Sequence, residues 1–211
     1  MSTLLCLSTH SPGALGCEMA EINDTTAYRQ AAIFQAAKDV FGRYGYRKTS
    51  MDDVARAAGL SRQGLYLHFP NKEALFKATV MRLLEEMRSG ARQALTRDDA
   101  SVTDRVLGAF VAMFADAAGS ERHDELFATI VDLLGPVNIR AIEDEFASDV
   151  ARVFRAAGVA AQWKEAGIST KELVELLFAA SDGIKRRAKS AAEYQDRMRV
   201  AVQLVCRGAR A

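Results

Sequence analysis

Between Ser61 and Phe69 the chain reads Ser-Arg-Gln-Gly-Leu-Tyr-Leu-His-Phe, placing a guanidinium, a carboxamide, a phenol and an imidazole within a few helical turns. Leu65 and Phe69 are four apart and share one face of a helix, which leaves Arg62, Gln63, Tyr66 and His68 for the outer and flanking surfaces. An arginine can bond a guanine edge through two N–H groups, and a glutamine can bond an adenine edge through one donor and one acceptor. Gly64 removes a side chain where backbone could approach a ligand closely. The Tyr66 hydroxyl, His68 and Lys72 suit phosphate oxygens, as do Lys48, Thr49 and Ser50 upstream. The expected chemistry is recognition of a DNA duplex: base contacts from Arg62 and Gln63, and backbone contacts from Lys48, Thr49, Ser50, Gly64, Tyr66, His68 and Lys72. Plainer alternatives are a solvated helix surface for Arg62, Gln63 and His68, and a half-buried core position for Tyr66.

These groups need elements that hold them. From about Thr26, apolar residues at Ile33, Ala36, Ala37, Val40, Phe41 and Tyr44 mark one face of a first helix, which Gly45 can close in a left-handed conformation. Met51, Val54, Ala55 and Ala58 follow helical spacing, with Ser50 as cap and Asp53 three residues on, predicting a short second helix behind a capping box. Gly59 breaks it, Ser61 caps a third helix, and Pro70 stops that one. Helix, tight glycine turn, helix is the pattern of a helix-turn-helix, whose second helix enters the major groove. Asn71 caps a fourth helix running through Phe76, Val80, Leu83, Leu84 and Met87 towards Leu95. Five further periodic stretches follow, giving an all-α chain of about nine helices. The expected divisions are a disordered tail over 1–25, a helix-turn-helix domain over 26–75, a connecting helix over 76–100 and a helical domain over 101–211.

Charge is distributed to match. The 28 Lys and Arg against 27 Asp and Glu leave a net charge of only +1. Residues 26–75, however, hold eight basic and four acidic side chains, while the rest of the chain has no positive excess. No acid is expected at the reading face. Cys6, Cys17 and Cys206 lie far apart, and with three histidines they form no metal-binding pattern, so neither metal nor cofactor is expected. No secretory leader or membrane-length apolar run is evident, which argues for a cytoplasmic protein, and Met19 offers an alternative start.

In the second half, Phe110, Met113, Phe114, Phe127, Trp163 and Phe178 are the kind of adaptable apolar side chains that line a small-molecule pocket, with Asp182 a candidate polar anchor. At helical spacing each also reads as ordinary core. The run Lys185-Arg186-Arg187 reads as a solvated helix end. Cys206 reads as a small buried hydrophobe, the sharper alternative being an intersubunit disulfide.

The run from Ala31 to Ala78, with Ala36-Ala37, Phe41, Gly45, Thr49, Val54-Ala55, Ala58-Gly59, Ser61, Gly64, Leu65-Tyr66, His68-Phe69, Asn71-Lys72-Glu73 and Leu75-Phe76, resembles the DNA-binding domain of the TetR family. The resemblance covers about a quarter of the chain. It implies an all-helical C-terminal domain that dimerises through the last two helices, roughly 170–189 and 192–208, with Ala191, Ala192 and Ala201 allowing close approach. It also implies a homodimer on palindromic operator DNA, a repressor released by a small-molecule effector. Activation by the same parts is the alternative. An enzyme lacks support, since no Gly-rich phosphate loop, Gly-x-Ser-x-Gly or His-Glu-x-x-His occurs. A ligand-binding module that has lost DNA binding is disfavoured by the intact Arg62-Gln63 pair.

Overall fold

The computed structural model describes residues 14–119 and 123–207, which form ten α-helices and no strand. They are α1 (Ala14–Lys48), α2 (Met51–Ala57), α3 (Arg62–His68), α4 (Lys72–Leu95), α5 (Val102–Phe114), α6 (His123–Leu134), α7 (Pro136–Ala156), α8 (Val159–Gln162), α9 (Thr170–Arg187) and α10 (Ala191–Val205), with a 3-10 turn at Ala115–Ala117 after α5. The tenth helix, unexpected from the sequence, is α8, a single turn too short to show periodicity. Residues 14–25, expected as tail, are helical and continuous with α1. Ala14, Leu15, Glu18, Met19, Ala20 and Glu21 are good helix formers, and the absence of an apolar stripe hid this extension. The remainder of the expected tail, 1–13, lies outside the described residues, as does Cys6.

The starts and stops follow the local chemistry. Gly45, at φ 80° and ψ 164°, interrupts α1 just after Tyr44. Gly59, at φ 68°, turns the chain between α2 and α3; both are positions where a side chain would strain the backbone. Ser50 and Asp53 close a reciprocal capping box on α2, while Ser61, Asn71, Ser101, Ser169 and Ser190 cap α3, α4, α5, α9 and α10.

Two hydrophobic cores share one beam. Ile33, Ala37 and Phe41 of α1, Val54 of α2, Leu65 of α3 and Leu75, Phe76 and Val80 of α4 form the first. Val106 and Phe110 of α5, Val150 and Phe154 of α7, Leu173 and Leu177 of α9, and Tyr194, Met198 and Val202 of α10 form the second. Helix α4 enters the first core at Leu75 and the second at Ala91 and Leu95, and at 24 residues it spans about 36 Å. Its outer half is pinned by Arg88 and Arg92, both paired with Glu145 of α7, and Arg105 Nε donates to the carbonyl of Leu95 at 2.7 Å, satisfying the helix end. Helix α6 differs from expectation: Leu126, Ile130, Leu133 and Leu134 pack on the first core. That helix therefore leans on the amino-terminal bundle.

Candidate nucleic-acid interface and adjoining cavity

Helix α3 buries one residue, Leu65, and projects nearly all its other side chains outward. Its N-cap, Ser61, accepts a hydrogen bond from the Gly64 amide at 3.0 Å. Arg62, Gln63, Tyr66 and His68 are all exposed, as the spacing predicts, and Gly64 is half-buried among them. Leu67 is 84% exposed on the same helix. Sequence reasoning passed over it, because a leucine is assigned to a core by default. An exposed leucine beside Arg62 and Gln63 is apolar surface of the kind that can meet the methyl group of thymine.

Arg62 is not loose. Its Nη1 donates to Asp52 Oδ2 at 3.1 Å across the α2–α3 corner, and its Cζ lies 5.6 Å from the Tyr66 ring centroid. The Tyr66 side chain first, and then the Asp52 carboxylate, hold the guanidinium above its ordinary range. The expectation of no acid at the reading face is thus corrected: Asp52 stands there, brought beside Arg62 by the turn through Gly59.

The flanking residues divide into two groups. Lys48 is exposed at the end of α1 and makes no hydrogen bond or ion pair among the described residues, and Ser50 is exposed with its hydroxyl on Asp53 Oδ2. Thr49 is only 3% exposed, and its Oγ1 donates to the Gly45 carbonyl at 2.8 Å. Lys72 is half-buried. Its Nζ donates to the carbonyls of Tyr46 at 3.0 Å and Thr49 at 3.1 Å and lies 4.5 Å from the Tyr46 ring centroid. Thr49 and Lys72 therefore tie off the end of α1, using donors that the sequence had assigned to phosphate. The Gly45 interruption frees the carbonyls that need them.

A cavity of about 680 Å³ lies between the two cores, lined from α1 by Phe41, from α4 by Phe76 and Leu84, and from α6 by Phe127. That volume suits a drug-sized molecule. Of the expected pocket residues, Met113, Phe114, Phe127 and Asp182 line it; Phe110, Trp163 and Phe178 do not. Phe110 is fully buried, its ring centroid 5.1 Å from that of Phe146 and 5.5 Å from that of Phe178 in an aromatic cluster behind the cavity wall. Trp163 is elsewhere, its Nε1 donating to the Val205 carbonyl at 3.0 Å. Asp182 is engaged by Lys185 and Arg186 at 3.4 and 3.2 Å, which places two of the expected helix-end cations at the cavity rim. Cys206 is buried, and burial pushes its thiol up to about 11. Among the described residues no helix is long and apolar enough to cross a membrane, and no group of three or more His, Cys, Asp or Glu could hold a metal.

Residues 33–79 match the family described as bacterial regulatory proteins, tetR family. The chain is 34% identical over 109 residues to the uncharacterized HTH-type transcriptional regulator YfiR of Bacillus subtilis, covering 52% of this chain and 47% of that one. It is 40% identical over 67 residues to the HTH-type transcriptional activator FasR of Mycolicibacterium smegmatis, 32% of this chain and 31% of that one. It thus spans half or less of the length of these curated relatives. The fold is similar to that of the solved repressor MexZ of Pseudomonas aeruginosa, with a TM-score of 0.54 and 19% identity, covering 84% of this chain and 94% of MexZ.

Proposed function

We propose, from the match of residues 33–79 to the tetR family of bacterial regulatory proteins, that the chain is a sequence-specific transcriptional regulator that represses from a palindromic operator. One observation carries this. Helix α3 has a single buried residue and offers Arg62, Gln63, Tyr66, Leu67 and His68 to solvent on a bundle that holds the positive excess of the chain. Base readout falls to Arg62 and Gln63, with Leu67 added. Lys48, Ser50, Tyr66 and His68 serve the phosphates, and Lys72 retains one ammonium hydrogen for them beyond its two carbonyl bonds.

The homodimer forms through α9 and α10. Leu176, Val200 and Leu204 are each more than half exposed on these helices, an amount of apolar surface that a second copy would cover. The cavity receives a small apolar effector. Because its walls come from the DNA-binding bundle as well as from α5, α6, α7 and α9, a ligand there acts on the pose of one core relative to the other. Release requires only that the ligand prefer the pose with the wrong spacing between reading helices. FasR is an activator and MexZ a repressor by name; steric occlusion of a promoter by a bound dimer needs no further partner, which favours repression here.

Selection of bound sequences from a random duplex pool at near-physiological salt tests the reading. An enriched palindrome is expected. Weak, salt-sensitive binding without enrichment contradicts it.

A further inference from the structure

We propose that Asp52 is a positioning residue for base readout, holding the Arg62 guanidinium in a fixed pose towards the major groove so that the pose, and not the charge alone, sets preference at one base pair. The proposal rests on the reading of α3 given above. Asp52 belongs to α2 and Arg62 to α3, so their contact at 3.1 Å ties the two helices of the motif together at the surface that would meet DNA. Tyr66, one turn further along α3, has its ring centroid 5.6 Å from the guanidinium carbon. Arg62 is thus held by two groups, although its side chain is 64% exposed, where a long side chain ordinarily samples many rotamers.

The acid is held as well. Asp52 has one oxygen on Arg62, while Oδ1 is shut off from solvent and accepts no hydrogen bond among the described residues, even though the side chain as a whole is 45% exposed. A carboxylate free to turn would place both oxygens in water. An unsatisfied acceptor is tolerated where the geometry is fixed for another reason. Asp52 also sits in the first turn of α2, where the helix dipole favours negative charge. Its neighbour Asp53 is not available for this task, being closed on Ser50 in the capping box.

The bond to Asp52 goes through Nη1 and takes one of the five guanidinium N–H groups, so donors remain for the O6 and N7 acceptors of guanine. Pairing has a second effect. An arginine balanced by a carboxylate adds little to the attraction between protein and phosphates, so it contributes to discrimination more than to indiscriminate affinity.

The test uses the full-length protein, the duplex recovered by selection, and duplexes in which each base pair of one half-site is changed in turn. For Asp52→Asn we expect discrimination at one position to fall about tenfold, affinity for an unrelated duplex to rise and the salt slope to steepen by about one. Arg62→Ala should abolish preference at that same position, and adding Asp52→Asn to it should leave the base profile unchanged. Asp52→Ser, which retains a good residue for a helix N-terminus, repeats the measurement should the asparagine variant melt early. The proposal is overturned if Asp52→Asn and Asp52→Ser weaken all duplexes alike with the base profile intact, or shift the profile equally when Arg62 is absent. Failure of the wild type to select any duplex is a separate outcome that removes the reading of α3 and this inference with it.

Discussion

At Lys72 the ammonium bonds two carbonyls at the end of α1 and faces the Tyr46 ring, so removing it acts on the fold as well as on charge. Lys72→Ala is expected to destabilise the bundle by about 2 kcal/mol, the scale of hydrogen bonds to a charged group, visible as a lowered melting temperature. Lys48 has no such partners. Lys48→Ala should leave the melting temperature unchanged and reduce the salt slope of DNA binding by about one. Thermal melts combined with salt titrations of duplex binding check both; equal loss of stability in the two variants would contradict the assignment. The contrast also shows what residue types conceal. Both lysines flank a helix-turn-helix and look alike in sequence, but the carbonyls freed by the turn at Gly45 lie within reach of only one. Leu67 was missed for the opposite reason, being an apolar side chain whose exposure depends on which face of α3 the bundle covers.

The individual helices are held by caps and by a buried polar bridge between Ser181 and Tyr194, and both make stability depend on pH. In the capping boxes Asp53 is held below the ordinary carboxylate range by the hydroxyl and amide of Ser50, and Glu172 by the amide and hydroxyl of Ser169. Their folded values are lowered, so the stabilisation is present above the unfolded values near 4 and is lost as pH falls through the lowered ones. Ser50→Ala should lower stability by about 1 kcal/mol near neutral pH and flatten its acid limb. At the alkaline end, Tyr194 is fully buried, bonded to Ser181 at 2.7 Å between α10 and α9, and burial pushes its hydroxyl up to about 12. A raised folded value means that the contribution of Tyr194 is intact below about pH 10 and is lost towards pH 12. Tyr194→Phe should remove that decline, as read by denaturant melts across pH, while leaving Ser181 buried without its partner.

Most of these elements were legible because caps and apolar periodicity are local: Ser50 with Asp53, Ser61, Asn71 and the stripe from Ile33 to Phe41 sit where the sequence placed them. Two features were not. Helix α8 is a single turn, and the helical lead into α1 has good helix formers without an apolar face.

On the scale of the whole molecule, the cavity was the least legible feature. Phe110, Phe114 and Phe178 are equivalent by composition, yet packing of α5 against α7 and α9 puts Phe114 at the wall and the other two behind it. The packing of α6 against the amino-terminal core brings Leu126, Phe127 and Ile130 to the same space, a long-range contact that no local pattern encodes. The exposed Leu176, Val200 and Leu204 make the proposed dimer testable. Leu204→Glu, alone or with Leu176→Glu, should shift sedimentation from dimer towards monomer and weaken binding to a two-half-site duplex far more than to a single half-site. An unchanged dimer would move the interface elsewhere.

The central claim is that α3 reads base edges, and it is tested most directly by comparing Gln63→Ala with Lys48→Ala on one set of duplexes carrying single base-pair changes. The account predicts that Gln63→Ala relaxes preference at one or two positions by about 1–3 kcal/mol with the salt slope unchanged, whereas Lys48→Ala weakens every duplex by a similar factor. Identical profiles for the two variants would contradict it.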